Sequence, residues 1–516
     1  MERDSSPAAS QASAAVADTR FFGHPRGLAT LFFTEMWERF SYYGIRPLLV
    51  LFMSAALSRG GFGFPREQAS AIVGIYAASV YLASLPGGWV ADRLLGLRRS
   101  IWYGGCFIAA GHISIGLSAV LGRTAFFLGL ILIVLGTGLL KPNVSAIVGD
   151  LYPEGGARRD AGFSIFYMGI NIGALLAPLA TGFLGEKVGW HYGFGAAGLG
   201  MILGLIQYRL TSRWLGPLGL DITRNPDPQV QARQERRMKQ GLGAGLAALA
   251  LLLALGMSGA LHIDSVAVGE SMSYVIAALA VLYFLYLFTF AGLAGAEKKR
   301  VVAILVLFIF ATVFWSAFEQ APTSLNLFSA DFTDRVVFGW EMPALFLQSA
   351  NSFFVIALAP VFAALWGAMG RRGKEFSSPT KFSLGLLFAA MGFAVMIFAA
   401  QLIQNGGAVK VSPWWLVVSY FFQTLGELCL SPVGLSSMTK LAPRKFTGQM
   451  MGVWFMAAAL GNIIAGLVGG HVNPENPAEM PTLFTRTTLL LLGSAVVLGV
   501  LIIPIRRMMA EARVED

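Results

Sequence analysis

The chain has 516 residues, of which 56% are hydrophobic and only 13% charged, and its mean hydropathy is +0.65. That excludes a soluble globular protein, in which about a quarter of the residues would be charged. The formal net charge of +10 does not mark a nucleic-acid face either. Most of the Lys and Arg fall in tails and loops on one side of the spans read below, the positive-inside bias of a polytopic membrane protein.

Residues 1–20 read as a mobile, Ser/Ala-rich tail, and its first part has no apolar core of its own, so no cleaved signal peptide is expected. The first span, near 28–57, is the most informative. Inside it lies Glu35-Met-Trp-Glu38-Arg39-Phe-Ser-Tyr42-Tyr43-Gly-Ile-Arg46, flanked by Leu28-Ala-Thr-Leu-Phe-Phe and Pro47-Leu-Leu-Val-Leu-Phe-Met. On a helix, positions 35, 39, 42 and 46 fall at about 0°, 40°, 340° and 20°, with 38 at about 300°. One face therefore carries two carboxylates, two guanidinium groups and a phenol. Ionised groups are costly in hydrocarbon, so they face the protein interior or water and mark a working site. A pair of structural salt bridges seldom needs such a stripe.

Further apolar segments follow near 69–91, 100–121, 124–149, 161–185 and 189–211, completing an N-terminal six-helix bundle at 21–211. Residues 212–240, charged and containing Pro217, Pro226 and Pro228, read as a cytoplasmic linker. Two extra helices are expected in 241–292, near 241–261 and 272–292, with no ionised residue in either span. A C-terminal six-helix bundle at 293–507 has spans near 301–329, 342–369, 382–404, 412–438, 447–471 and 483–505, and 508–516 is a cytoplasmic tail. The fold class is thus an all-α polytopic membrane protein with fourteen transmembrane helices, arranged six, two and six, with both termini cytoplasmic. Cys106 and Cys429 lie in apolar runs on different helices and read as small core residues. His112, deep in the third span, reads as a packing residue before a proton carrier. No HExxH, GxSxG, Walker or metal-cluster pattern occurs, so no enzyme, catalytic residue, cofactor or metal is expected.

The six-plus-six plan with a basic central linker resembles the major facilitator superfamily. The loop Gly88-Trp-Val-Ala-Asp92-Arg93-Leu-Leu-Gly96-Leu-Arg98-Arg99 is similar to the superfamily's signature between its second and third helices, which implies a role in conformational gating for Asp92 and Arg93. Longer motifs are more specific. Glu35-x-x-Glu38-Arg39-Phe-x-Tyr42-Tyr43-Gly resembles the first-helix signature of the proton-coupled oligopeptide transporter family. Gly136-Thr-Gly-Leu-Leu-Lys141-Pro142-Asn143-Val-Ser is similar to its fourth helix, and Asp160-Ala-Gly-Phe-Ser-Ile-Phe166-Tyr167-Met-Gly-Ile-Asn171-Ile-Gly173-Ala to its fifth. In the second half, Phe314-Trp315-Ser-Ala-Phe-Glu319-Gln320, Leu425-Gly426-Glu427-Leu-Cys-Leu-Ser431-Pro432 and Gln449-Met-Met-Gly-Val-Trp454-Phe resemble the seventh, tenth and eleventh. The extra helix pair fits prokaryotic members. One departure is the lack of a histidine in 69–91, where animal members have one, so proton coupling should rest on carboxylates.

This resemblance implies a symporter that imports di- and tripeptides on the proton gradient by alternating access, in a bacterial inner membrane, working as a monomer. Its partners are peptides, protons and the lipid bilayer, with no nucleic acid. Proton coupling falls to Glu35, Glu38, Arg39 and Glu319, with Glu319 expected to pair with Arg46 in the outward-open state. A cavity with a basic wall, Arg46 and Lys141, would face an acidic one, Glu319 and Glu427. A peptide of two or three extended residues, about 7–11 Å long, would present its carboxylate to the first wall and its ammonium to Glu427. Tyr42, Tyr43, Tyr81, Asn171, Asn351 and Ser431 would contact the peptide's polar groups, and Trp315 and Trp454 its side chains. Pro142 and Pro432 would let two corresponding helices bend. The alternatives are a transporter of another small anion, such as nitrate, whose known members lack a full Glu-x-x-Glu-Arg motif, and a drug/proton antiporter, which would not need the basic wall.

Overall fold

The computed structural model describes residues 16–222, 227–257, 264–374, 376–406 and 409–514. Fourteen long helices are described: α1 Arg26–Ser54, α2 Arg66–Val90, α3 Leu97–Leu121, α4 Arg123–Asp150, α5 Gly156–Phe183, α6 Trp190–Thr211, α7 Pro228–Met257, α8 Ser265–Thr289, α9 Gly295–Phe318, α10 Ser349–Arg371, α11 Ser378–Gln404, α12 Trp414–Leu441, α13 Thr447–Gly469 and α14 Glu479–Val514. Twelve of them are long and apolar enough to cross a membrane by length and composition. The other two are α1, diluted by its own charged stripe, and the Gly-rich α6.

Four boundaries differ from the sequence reading. The linker expected at 212–240 is mostly structured. Its first residues are held by Arg98, which donates to the carbonyls of Gly216 at 2.7 Å and Ser212 at 3.0 Å. Its last part is helix: Asp227 accepts the backbone N–H of Gln229 at 2.8 Å, and Pro228 opens α7, the usual Asp cap and first-turn proline. The strong helix formers of Gln231-Ala-Arg-Gln-Glu-Arg-Arg-Met-Lys then carry α7 into the apolar run. The C-terminal tail expected at 508–516 continues α14 as far as Val514, through a segment equally rich in helix formers. Of the N-terminal tail, residues 1–15 lie outside the described residues, while Asp18 is pinned, accepting from Arg26 Nε at 2.6 Å. Burial would raise the Asp18 carboxyl's pKa, but the bonds and charges of Arg26 and Arg20 outweigh this and hold it below the usual carboxylate value. The extra helix α8 also starts early enough to include Glu270, which is exposed.

The chain forms two compact units that do not coincide with the two six-helix bundles. The first comprises Met1–Tyr42, Leu82–Gly173 and Phe194–Asp264; the second comprises Tyr43–Tyr81, Ala174–Gly193 and Ser265–Asp516. Within the first, α3 and α4 run antiparallel with their backbones in contact. A Cβ on Gly104 would come within 2.6 Å of the Gly136 carbonyl, and one on Gly111 within 2.6 Å of that of Gly129. Small residues of this kind let membrane helices approach closely where lipid offers no hydrophobic drive.

Within the second unit, the last part of α1, the start of α2 and the end of α5 pack among the C-terminal helices, which is why the units cut across these three helices. Past α9, the turn Ala321–Leu325 and the short helix Asn326–Phe332 lead into a hairpin pairing Val336–Val337 with Trp340–Glu341. Its two-residue turn, Phe338-Gly339, has both residues at positive φ (51° and 78°), as a tight hairpin requires.

Candidate functional site

The charged stripe of α1 is buried and divided between the units. In the first, Arg39 Nε lies 2.9 Å from Glu35 Oε1 and 2.7 Å from Glu38 Oε2, and all three residues are under 5% exposed. The one-turn spacing from Glu35 to Arg39 makes this convergence a local property of the helix. The Arg39 guanidinium also stands 5.6 Å from the centre of the buried Tyr42 ring. Lys141, on α4 of the same unit, interacts electrostatically with Glu38. Two carboxylates thus share the Arg39 guanidinium, with Lys141 as a second cation acting on Glu38, an arrangement of balanced formal charge of the kind that makes buried charge tolerable. Pro142 follows Lys141 inside α4.

The second part of the stripe belongs to the other unit. Arg46 Nη2 donates to the Glu319 carboxylate and, at 2.6 Å, to Asn462 Oδ1, with all three groups buried. Glu319 caps α9, and Asn462 lies on α13. The contacts around this pair correct the expectation that it marks an outward-open state. The ends of α1, α2 and α5 on the side away from the basic loops are joined to the C-terminal helices. Asn326 Nδ2 donates to the Pro47 carbonyl at 2.7 Å, and Arg66 Nη1 to Asp331 at 2.6 Å. Glu186 accepts the backbone N–H groups of Ala344 at 2.9 Å and Leu345 at 3.1 Å. A Cβ on Gly74 would lie 2.9 Å from the Gly466 Cα, so α2 and α13 touch backbone to backbone. The Arg46–Glu319 pair therefore belongs to a state in which this side is shut.

The same unit holds most of the other residues singled out from sequence. Asn351 Nδ2 donates to Glu427 Oε2 at 3.1 Å and to Thr424 Oγ1 at 2.9 Å, so α10 fixes the orientation of a carboxylate on α12. Trp315 and Trp454 meet edge to face, centroids 6.4 Å apart, and both are nearly buried. Tyr81 lies 6.4 Å from Phe455. Tyr43 and Ser431 are partly exposed, and Pro432 lies exposed inside α12. In the first unit the buried Asn171 donates to the Tyr167 carbonyl of its own helix. Asp92 and Arg93 sit in the π-helical turn Ala91–Leu95 that ends α2, Asp92 exposed, and neither is in an ion pair among the described residues. His112 is buried and shares a hydrogen bond with Ser41.

Sequence reasoning missed Asn462, Gly74 and Gly466. An asparagine or glycine in an apolar run carries no charge signal, and only the pairing partner reveals its use. Glu186 was passed over because it stands near the end of a span, where a carboxylate is unremarkable.

Charges buried in this pattern inside a multi-pass helical protein mark a functional site, such as a substrate or proton pathway. Residues 98–477 match the model of the POT family (PTR2), and the chain belongs to that family. It is 51% identical to the peptide transporter YePEPT of Yersinia enterocolitica over 494 residues, covering 95% of this chain and 96% of that one. It is 37% identical to a di-/tripeptide transporter of Lactococcus lactis over 507 residues, covering 96% and 98%. Its fold matches a crystal structure of the peptide transporter POT in complex with sulfate, with a TM-score of 0.88 and 41% identity over 97% of this chain and 99% of that one.

Proposed function

We propose that the chain is a proton-driven symporter that imports di- and tripeptides across a bacterial inner membrane by alternating access, as a monomer with both termini cytoplasmic. The peptide transport of the relatives named above supports this reading. The observation that carries it is the cluster Glu35–Glu38–Arg39 with Lys141 beside Glu38. The cluster is neutral only while Lys141 stays with it. A peptide carboxylate that engages Lys141 leaves two carboxylates sharing one guanidinium in a buried place, an arrangement that favours uptake of a proton. Peptide and proton then stabilise the same state and are coupled by linkage.

Arg46 and Lys141 receive the peptide's carboxylate, and Glu427, oriented by Asn351, its amino terminus. Arg46 alternates between this task and its pair with Glu319, so that breaking the pair releases the shut side and leaves Glu319 to take part in proton coupling. Tyr42, Tyr43, Tyr81, Asn171 and Ser431 contact the peptide's polar groups, Trp315 and Trp454 its side chains. Asp92, Arg93, Pro142 and Pro432 serve the conformational change.

The test is uptake of labelled dialanine into proteoliposomes. An inward proton gradient should drive accumulation above equilibrium, an uncoupler should abolish it, and unlabelled tripeptides should compete. Accumulation insensitive to the uncoupler, or competition by nitrate in place of peptides, overturns the reading.

A further inference from the structure

Helix α7 takes no part in the function proposed above, yet it forms one wall of a groove of about 600 Å3 in the first unit, within the size range of small-ligand sites. The groove is polar at one end, where Arg93 and Arg237 line it with Trp89, and apolar at the other, where Leu135, Leu242 and Leu246 do. Neither arginine is in an ion pair among the described residues. The one carboxylate in the lining, Glu235, is engaged elsewhere: it accepts from Gln231 at 2.8 Å and lies 3.9 Å from Lys239. Along the wall, Gly241 and Gly245 face open space, since a Cβ on either would meet nothing within 4 Å. These glycines widen a groove and do not seat a helix. The apolar stretch of α7 is only 6% buried, and Leu246, Leu251 and Leu252 are more than half exposed. The exposed Trp89 at the polar end has the amphipathic character of side chains found at headgroup level.

We propose that this groove binds one anionic phospholipid, its phosphate between Arg93 and Arg237 and an acyl chain along Leu135, Leu242 and Leu246. The charge argues for an anion, because neither guanidinium is in an ion pair among the described residues, and Asp92, which feels the charge of Arg93, is exposed and does not line the groove. The apolar half argues for a lipid over a free phosphate, which would leave the leucines uncovered. The occupant would pin α7 to the end of α2, giving the extra helix a membrane-dependent hold on the turn that carries Arg93.

The test uses the delipidated full chain in detergent, titrated with phosphatidylglycerol or phosphatidylcholine of the same acyl chains and read by native mass spectrometry. One equivalent of phosphatidylglycerol should bind at least about tenfold more tightly than phosphatidylcholine. Arg237→Gln should weaken it about fivefold, the usual worth of one basic residue near an anionic lipid. Gly245→Leu, which improves helix propensity while filling the groove, should remove the tight equivalent. Arg233→Gln makes the same charge change on the exposed side of α7, outside the lining, and should stay within about twofold of wild type. Equal binding of the two lipids, equal losses for Arg237→Gln and Arg233→Gln, or full competition by soluble glycerophosphoglycerol would each overturn the proposal. The last outcome would leave a free-phosphate site.

Discussion

Helix α1 carries two buried charged groups, less than two turns apart, that are built on opposite principles. Glu35, Glu38 and Arg39 lie within one turn and place two carboxylates on one guanidinium. Arg46 reaches residues hundreds of positions away, Glu319 and Asn462, and meets one carboxylate and one neutral amide. The first group needs a further positive charge, from Lys141 or a proton, to be neutral. The second is already neutral and changes only by breaking. Charge stoichiometry thus separates two groups that both look like buried salt bridges; in the function proposed above, the first takes up the proton and the second holds a conformation.

The largest effect should come from the unbalanced group. Glu35→Gln and Glu38→Gln each remove the carboxylate excess, so the peptide can no longer draw in a proton. Gradient-driven accumulation should fall to the equilibrium level, while counterflow exchange, which moves no net proton, persists. The comparison breaks if both variants still concentrate dialanine in proteoliposomes. Next in size is Glu427, which Asn351 orients. Glu427→Gln should weaken binding of free dipeptides roughly ten- to a hundredfold, the worth of a charge-assisted hydrogen bond, and hardly affect N-acetylated dipeptides, which lack the ammonium. Equal losses for both would return Glu427 to a structural role.

These two groups also mark how far the sequence could be read. The fold, the spans and the Glu35–Glu38–Arg39 cluster were legible because hydropathy and helical spacing are local properties. The Arg46–Glu319 partnership was legible through the family motif, but its conformational meaning was not. The shut side depends on Gly74 against Gly466 and Glu186 against Ala344 and Leu345, contacts between distant segments of ordinary composition. The helical start of α7 at Pro228 was not legible because Pro217, Pro226, Pro228 and a run of charges read as a linker over 212–240.

A smaller effect should separate the two cations. Amidating the C-terminus of dialanine should weaken wild-type binding by about tenfold, the lower range for a lost charge-assisted bond. Lys141→Ala and Arg46→Ala should each narrow that gap. They should differ in flux, however. Lys141→Ala removes one charge from the proton cluster and should uncouple uptake from the gradient, whereas Arg46→Ala should slow transport and leave the remaining uptake coupled. Paired measurements of binding by isothermal calorimetry and of uptake against pH would reveal both patterns. Identical pH profiles for the two variants would erase the distinction between the groups.

The smallest effect tests the balanced group alone. Asn462 accepts from Arg46 at 2.6 Å and, through Nδ2, donates to the Ala458 carbonyl of its own helix at 2.8 Å. Asn462→Ala leaves Arg46 its carboxylate partner, so the loss should be about 1 kcal/mol, roughly a fivefold shift in the conformational equilibrium away from the shut side. Asn462→Asp keeps the acceptor but adds a second carboxylate, converting the balanced group into a copy of the unbalanced one. The alanine variant should show faster labelling of a cysteine placed at Ser70, buried in the contact of α2 with α13, with peptide affinity and pH profile unchanged. The aspartate variant should instead shift the pH profile of transport, because two carboxylates on Arg46 now favour a proton there. If both variants alter labelling alike and leave the pH profile alone, then carboxylate-to-guanidinium ratio is not what distinguishes the two ends of this stripe.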